Sequence, residues 1–247
     1  MLNEEERARY DRQMMIPGFG EAGQEKLKRA KVFVAGAGGL GSPIAIYLAA
    51  AGVGTIRIAD PDRVELSNLN RQILYREKDI GGGKAGLAAA RLREINRQVK
   101  IEAIAEAITE ANASHLVADA DFIVDALDNM PARYLLNRTA LQKKIPFCHG
   151  AVNGFEGRAM TVIPGRTACL NCVYHGAVTP AEKTPVIGVT PAVIGCIQAT
   201  EVIKYIVGLG DLLTDRMLVY DARHMTFDEF KVARDPDCEQ CGGLARR

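Results

Sequence analysis

Two closely spaced cysteine pairs have the clearest chemical meaning in this sequence. Cys169 and Cys172 form one C-x₂-C pair, and Cys238 and Cys241 form a second. Each pair can direct two thiolates at one cation from a tight turn, and four sulfur ligands complete the tetrahedral coordination of a structural zinc site. The spacing therefore predicts bound Zn²⁺ that joins the C-terminal tail to the second half of the chain. A redox-active dithiol is the alternative interpretation.

The other two cysteines lie in apolar segments. Cys148 falls in a predicted strand and Cys196 in a predicted apolar helix, so both thiols are expected to pack in the core. The histidines have no spacing typical of a metal site or a catalytic triad, and are expected to be structural or surface groups: His115, His149, His175 and His224.

A glycine-rich turn predicts nucleotide binding. Residues 36–41 have the pattern G-x-G-x-x-G between a predicted strand and a predicted helix, and the glycines are Gly36, Gly38, Gly39 and Gly41. Glycines let phosphate oxygens approach the amide N–H groups at the start of the helix. Asp60 ends the next strand, where an acid commonly bonds a ribose hydroxyl. A purely structural turn is the alternative.

Acidic, amide and cationic side chains are concentrated after this ribose strand. They are Asp62, Asn68, Arg71 and Gln72, followed by Lys84 at the start of a predicted helix and by Asp128 and Asn129 beyond the fourth strand. Ligands of open α/β sheets bind at the rim where the strands end, and these residues are expected to converge there. Hydride transfer does not need such charge, whereas breaking a triphosphate needs cations on its oxygens and acids that hold Mg²⁺.

Strand and helix patterns alternate along the chain and position these residues. Strands are predicted at 31–35, 55–60, 101–108, 121–126 and 145–148, with helices at 40–51, 83–96, 111–118 and 131–143. Strands at 157–164, 217–221 and 226–231 and a helix at 190–207 follow. We predict one α/β unit: a Rossmann-like, mostly parallel sheet with helices on both faces, continued by an antiparallel C-terminal part. Its parts are an N-terminal helical segment 1–30, a nucleotide-binding half 31–150 and a second half 151–247.

The composition excludes several classes of function. The 247 residues are 48% hydrophobic and carry 31 Lys+Arg against 30 Asp+Glu, so neither disorder nor a polyanion-binding tail is expected, and nucleic acid is an unlikely partner. The N-terminus is charged from Glu4 onward, unlike a secretory signal. The apolar stretch 187–209 contains Glu201 and Lys204, which favours a core helix over a membrane span. A cytoplasmic protein without a membrane partner is expected.

Several of these motifs occur together in one known family. The chain resembles, from Arg9 to Gly242, the bacterial and archaeal relatives of the ubiquitin-activating enzyme, including the adenylyltransferases of molybdopterin and thiamine biosynthesis. The resemblance is carried by the segment RYDRQ at 9–13, the glycine loop with Ser42, the pattern D-x-D-x-V-x-x-S-N-L-x-R-Q at 60–72, Lys84, Asp128-Asn129 with Arg133, and the two cysteine pairs.

The resemblance implies an enzyme that uses ATP and Mg²⁺ to adenylate the C-terminal glycine of a small ubiquitin-like sulfur carrier ending in Gly-Gly. Pyrophosphate would be released, and the product would serve molybdopterin, thiamine or tRNA-thiolation pathways. In this family pattern, the second half of the chain would bind the carrier. The roles it implies are ribose binding by Asp60, triphosphate binding by Asn68, Arg71 and Lys84, and Mg²⁺ positioning by Asp128. Asp62, Gln72 and Asn129 complete the expected nucleotide-binding set, and Arg12 would enter the partner's site in a homodimer.

One departure from the family limits what this chain is expected to do. Several relatives carry a thiol in the crossover loop, here the aperiodic segment 173–189, and the corresponding stretch 182–188 has Thr184 and no cysteine. We therefore expect catalysis to stop at the acyl-adenylate, with sulfur supplied by another protein. Three alternatives stay open: an NAD-dependent Rossmann oxidoreductase, a non-catalytic half of a heterodimer, and an enzyme that adenylates a small-molecule carboxylate or a tRNA base.

Overall fold

The computed structural model describes residues 1–178 and 184–244. The helices are α1 (Glu4–Met14), α2 (Gly20–Arg29), α3 (Gly41–Ala51), α4 (Lys84–Ile95), α5 (Ala113–Val117), α6 (Met130–Lys143), α7 (Leu170–Tyr174) and α8 (Val189–Val207). The strands are β1 (Lys31–Ala35), β2 (Thr55–Ala59), β3 (Lys100–Ile104), β4 (Phe122–Asp125), β5 (Phe147–Asn153), β6 (Glu156–Val162), β7 (Arg216–Asp221) and β8 (Thr226–Lys231). Two short 3₁₀ helices span Leu66–Asn68 and Glu77–Asp79.

The strands form a single eight-stranded sheet in the order β3-β2-β1-β4-β5-β6-β7-β8. Strands β3, β2, β1, β4 and β5 are parallel, and β6, β7 and β8 continue the sheet antiparallel. The order changes direction between β1 and β4, and ligand crevices of open α/β sheets lie at such a point. The predicted Rossmann-like sheet with an antiparallel continuation is confirmed.

Each face of the sheet has its own hydrophobic core. Strand β1 alternates between them: Val32 and Val34 face a core that includes α3 and α8, whereas Phe33 and Ala35 face a core with α5 and α6. The four paired cysteines are buried in the second of these cores. The side chains of a strand alternate between the two faces, and a strand buried on both faces is accordingly apolar at successive positions.

The predicted element boundaries differ from the structure in two instructive places. The strand predicted at 101–108 ends at Ile104, and the strand predicted at 145–148 is β5, which continues to Asn153. Strand β5 is long because beyond Cys148 it pairs with β6 as a hairpin, so the sheet is continuous across residue 150. The short helix α7 and the two 3₁₀ helices were not predicted. Within the aperiodic segment 173–189, residues 179–183 lie outside the described part.

None of the helices within residues 1–178 and 184–244 is long and apolar enough to cross a membrane. Helix α8 is the longest of them at 19 residues, and it buries Glu201 against the sheet.

Candidate nucleotide site and cysteine centre

The glycine loop joins β1 to α3, and two of its glycines are required by the backbone. Gly36 has φ +103°, and a side-chain carbon there would lie 2.6 Å from the carbonyl oxygen of Ala126. A side-chain carbon at Gly41 would lie 2.0 Å from the carbonyl oxygen of Gly36. Residues other than glycine rarely adopt the first conformation, and none fits the second contact. The loop is therefore folded tightly against the start of α3 and the end of β4.

Two side chains hold the loop through hydrogen bonds to its backbone. The carboxylate of Asp60 accepts hydrogen bonds from the amides of Ala37 at 2.8 Å and of Asp62 at 2.9 Å. The hydroxyl of Tyr75 donates to the carbonyl of Ala37 at 2.9 Å and lies 3.4 Å from the carbonyl of Lys84. Burial, reinforced by Asp60 and Asp62, raises the pKa of Tyr75, so its hydroxyl stays protonated. Tyr75 was not predicted as a site residue because an isolated tyrosine has no diagnostic spacing.

Beside the loop lie polar atoms without partners among the described residues. The Ser42 hydroxyl, at the start of α3, and the side-chain carbonyl of Gln72 are both buried and lack a hydrogen-bond partner in the described part of the chain. A side-chain carbon at Gly38 would meet the Gln72 amide at 3.6 Å, so Gln72 lies against the loop. Buried polar atoms nearly always have partners, so each of these two groups requires one, which an ordered water or a polar ligand could supply. A phosphate group at a helix N-terminus meets that requirement.

The predicted cations lie next to the loop. Lys84 begins α4, is 7% exposed, and its ammonium lies 2.9 Å from the Asp62 carboxylate, which is 64% exposed. Arg71 donates to the carbonyl of Ser67 at 2.9 Å, and a side-chain carbon at Gly39 would lie 3.4 Å from its Cγ. The pairing of Lys84 with Asp62 was not predicted. A buried ammonium beside a solvent-exposed acid is well placed to exchange that partner for a phosphate oxygen.

The remaining predicted rim residues fall into two groups. Asn68 is buried and its side-chain oxygen accepts the amide of Glu65 at 3.0 Å, which fixes the 3₁₀ helix that precedes Arg71. Asp128 and Asn129 are exposed just beyond the end of β4, and Asn129 caps α6 by accepting the amide of Ala132 at 3.0 Å. Asp60, Asp62 and Lys84 are thus directly linked, and Arg71 lies against the same loop. Asp128 follows the end of the neighbouring strand β4, two residues after Ala126, whose carbonyl lies against Gly36.

The residues of the segment 9–13 have different roles in the structure. Tyr10 is buried, and its hydroxyl accepts the Asn96 amide at 2.7 Å. Gln13 donates to Gln24 at 2.7 Å. Arg12, in the last turn of α1, is exposed and has neither a hydrogen bond nor a salt bridge to any residue in the described ranges. Helix α1 is therefore anchored to the body of the chain while the Arg12 guanidinium is free to contact another molecule.

A buried polar cluster behind the rim was not predicted. The Asp125 carboxylate lies 2.7 Å from Nδ1 of His149 and 3.5 Å from Nε of Arg133, and Asp125 and His149 are fully buried. Burial lowers the pKa of His149, and Asp125 opposes the shift. His115, His175 and His224 are exposed, as expected of surface groups. The pairing of His149 with Asp125 comes from the register of β4 beside β5, which local spacing does not encode.

The four paired cysteines converge as predicted. Their sulfur atoms all lie within 4.8 Å of one another, and all four residues are buried. Neighbouring sulfurs are 3.8 Å apart for Cys169–Cys172, 3.7 Å for Cys169–Cys238 and 3.4 Å for Cys172–Cys241. Four sulfurs at about 2.3 Å from a tetrahedral ion would be about 3.8 Å apart, so the centre has the dimensions of a closed metal site.

The surroundings of the cysteine centre fix both chain segments. Asn171 donates to the sulfur of Cys238 at 3.4 Å, and Arg234 donates to the carbonyl of Cys241 at 2.6 Å. Asn137 of α6 accepts the amide of Leu170 at 3.1 Å, which ties α7 to the second core. The centre therefore joins the C-terminal tail to α7, as the spacing predicts.

The two unpaired cysteines differ. Cys148 is fully buried in the core, as predicted, and burial raises its pKa. The prediction for Cys196 is wrong: its side chain is only half-buried and belongs to neither core. An apolar helix sequence does not reveal which of its residues are fully buried. Burial raises the pKa of Cys196 as well, so both thiols are poor nucleophiles.

The fold and these two sites define a class: α/β proteins with a glycine loop at the sheet rim and a separate four-cysteine centre. The chain belongs to the ThiF family, whose model matches residues 10–240. It is 42% identical to the SAMP-activating enzyme E1 of Haloferax volcanii over 95% of this chain and 88% of that protein. It is also 42% identical to the sulfur carrier protein adenylyltransferase of Thermus thermophilus over 96% of this chain and 92% of that protein.

Two further comparisons extend this result. The adenylyltransferase and sulfurtransferase MOCS3-1 of Zea mays is 40% identical over 95% of this chain, which spans only 51% of that protein. Among solved structures, E. coli MccB with MccA-N7isoASN superposes with a TM-score of 0.87 at 25% identity, covering 95% of this chain and 75% of that chain. The chain thus shares its fold with MccB and its sequence over nearly full length with adenylating relatives.

Proposed function

We propose that this protein is an adenylyltransferase that joins AMP from ATP to the C-terminal glycine carboxylate of a ubiquitin-like sulfur carrier, with release of pyrophosphate. The named relatives act on sulfur carriers or SAMPs, according to their names. The observation that carries the proposal is the buried ammonium of Lys84, held beside the glycine loop by Asp62. A hydride-transfer site has no use for a buried cation at that place.

The reaction would proceed by attack on the α-phosphorus of ATP. An oxygen of the carrier's terminal carboxylate forms a bond to that phosphorus, and the bond from it to the bridging oxygen breaks, so that pyrophosphate leaves with the electron pair. No proton transfer is needed for this step. The obstacle is repulsion between the carboxylate and the phosphate charges, which the positive charges of Lys84 and Arg71 offset. Asp60 orients the ribose and the loop amides orient the phosphates.

Asp128 is proposed as the Mg²⁺-positioning residue. Its carboxylate is exposed at the end of β4, and its one hydrogen bond within the described chain is a 3.5 Å contact from Asn129, so its oxygens are open to a hard cation. Mg²⁺ neutralises phosphate charge when bound. Asp62 is a less direct candidate because it is engaged by Lys84.

Arg12 is proposed to complete the site of a second copy of the chain in a homodimer. Its free, exposed guanidinium at the end of an anchored helix supports this role. The cysteine centre is proposed to hold Zn²⁺, because four buried sulfurs at the spacing of a tetrahedral site suit a structural zinc ion. We propose no chemistry for it.

The thiols support a reaction that ends at the acyl-adenylate. Thr184 is exposed in the crossover segment, and Glu182 and Lys183 of the same stretch lie outside the described residues. Cys148 is inaccessible and Cys196 has a raised pKa, so neither is suited to attack the adenylate. We expect no covalent carrier adduct on this chain by intact-protein mass spectrometry, and an adduct on Cys196 would contradict this.

The proposal is tested by carrier-dependent exchange of labelled pyrophosphate into ATP. Candidate carriers ending in Gly-Gly are compared with the same carriers lacking the final glycine. Lys84→Ala, Arg71→Ala and Asp128→Ala should each slow exchange by about 10²-fold or more, because each removes charge stabilisation at the reacting phosphates. Lys78→Ala, which changes an exposed lysine of the nearby 3₁₀ helix, is the matched control. Normal exchange in all three site variants would overturn the mechanism.

A further inference from the structure

The loop that carries Asp128 is held by buried groups that have no assigned task in the reaction. It consists of residues 126–129, between β4 and α6. The Ala126 amide bonds the carbonyl of Ala35 at 2.9 Å, and the Ala126 carbonyl lies against Gly36 of the glycine loop. Any displacement of this loop would therefore move both Asp128 and the phosphate-binding turn.

Three side chains fix this loop from the protein interior. The Asp125 carboxylate accepts the amide of Leu127 at 3.0 Å. Arg133 donates to the carbonyl of Leu127 at 2.5 Å. Gln198 of α8 donates to the backbone carbonyl of Asp125 at 2.8 Å. Leu127, the residue before Asp128, is thus bonded at both its amide and its carbonyl, which leaves Asp128 little freedom.

His149 controls the central member of this set. Its Nδ1 lies 2.7 Å from the Asp125 oxygen that does not bond Leu127. An ionised carboxylate can only accept hydrogen bonds, so Nδ1 is the donor. Arg133 is 3.5 Å from the same oxygen, but its Nε has no hydrogen-bond partner in the described chain, so His149 provides the direct contact. Without it, the carboxylate could rotate toward the Arg133 guanidinium and release the amide of Leu127.

We infer that Asp125 and His149 are a positioning pair that sets the Asp128 carboxylate for the divalent cation of ATP, an inference that rests on the proposed function. Neither residue touches a ligand. Asp125 and His149 occupy the second layer behind the rim, where they orient the residue that does. The pair acts by keeping the 126–129 loop in one conformation, as second-layer carboxylate–histidine pairs do behind metal ligands.

The experiment measures the Mg²⁺ requirement of ATP binding by calorimetry at a series of Mg²⁺ concentrations, with no carrier present. The Mg²⁺ midpoint is the Mg²⁺ concentration at which ATP binding is half-maximal. His149→Ala should raise this midpoint by about tenfold or more. His149→Asn should keep it close to the wild-type value, because its amide nitrogen can replace Nδ1 as the donor to Asp125. If His149→Ala does not fold, His149→Gln replaces it, since its amide lies one bond farther out and misses that position.

The control variant is Glu201→Gln. Glu201 is also buried, and it accepts hydrogen bonds from Thr161 and the Leu213 amide, neither of which belongs to the 126–129 loop. It should lower thermal stability and leave the Mg²⁺ midpoint unchanged. The inference is overturned if His149→Ala loses stability as Glu201→Gln does and keeps the wild-type midpoint. The binding measurement contains no carrier and is therefore independent of the exchange assay. If the wild-type protein binds MgATP but fails to exchange pyrophosphate with any carrier, that result contradicts the proposed function and not the positioning pair.

Discussion

The two functional regions of this molecule are built in opposite ways. In the cysteine centre, all four cysteines are buried, their sulfurs have the spacing of a tetrahedral site, and the flanking Asn171 and Arg234 bond the chain around them. At the glycine loop, polar groups of Ser42 and Gln72 are buried without partners in the described chain, and Lys84 is paired with an acid that solvent reaches. A closed centre of this kind stabilises the fold, whereas an open one is completed by its ligand.

Because the two regions lie in different parts of the fold, effects on stability and effects on activity should be separable. The cysteine centre lies in the second core with α6 and α7. The glycine loop contacts Ala126, directly after β4, and Pro191 of α8. Changes at the cysteines should therefore act mainly on folding, and changes at the rim mainly on binding and catalysis.

The largest effect is expected from loss of a cysteine ligand. Cys238→Ser should abolish bound zinc and lower stability by at least about 3 kcal/mol, because metal binding is folding free energy and an unfilled ligand set is left in the core. For a chain of this size that corresponds to a fall of about 10 °C in melting temperature. Metal analysis and thermal denaturation are the measurements. Cys196→Ser, at a half-buried thiol outside both cores, is the control and should change neither.

Two results together would contradict the structural role: a wild-type protein that is purified without zinc and with four titratable thiols, and a Cys238→Ser variant that melts at the wild-type temperature. It would favour the dithiol alternative.

The next largest effect is expected at the tightest point of the glycine loop. Gly41→Ala places a methyl group 2.0 Å from the carbonyl of Gly36, so the turn must open and ATP binding should be lost, with a cost of over about 2 kcal/mol in stability. Gly86→Ala in α4 is the matched control, because a side chain there meets open space. It should keep ATP binding and raise stability by up to about 1 kcal/mol. Equal ATP affinity in the two variants would show that the loop does not bind the nucleotide.

The smallest effect is expected at Tyr75. Tyr75→Phe removes the hydrogen bond to the carbonyl of Ala37 and leaves the ring in place, so stability should fall by about 1 kcal/mol and ATP should bind several-fold more weakly. Calorimetry and urea denaturation measure the two quantities. Weaker binding with unchanged stability would place Tyr75 in contact with the nucleotide instead.

The two regions also differ in how far sequence reveals them. The cysteine pairs and the glycine loop are each local patterns whose spacing dictates geometry, so both were predicted with their residues. The Asp125–His149 pair joins residues on neighbouring strands through the sheet register, and the Lys84–Asp62 pair joins a helix start to a preceding loop. No short-range spacing encodes such contacts. The error at Cys196 has a related cause, because α8 is apolar on more than the face it buries.

The central claim is that this chain transfers the AMP group of ATP, which contains the α-phosphate, to a carrier C-terminus. The most direct measurement is incubation of the protein with a Gly-Gly carrier, Mg²⁺ and ATP labelled at either the α- or the γ-phosphate, followed by rapid separation of the carrier. The account predicts label on the carrier from α-labelled ATP only, dependent on Mg²⁺ and on the terminal glycine. Label from the γ-phosphate, or none on any Gly-Gly carrier while ATP is bound, would contradict it.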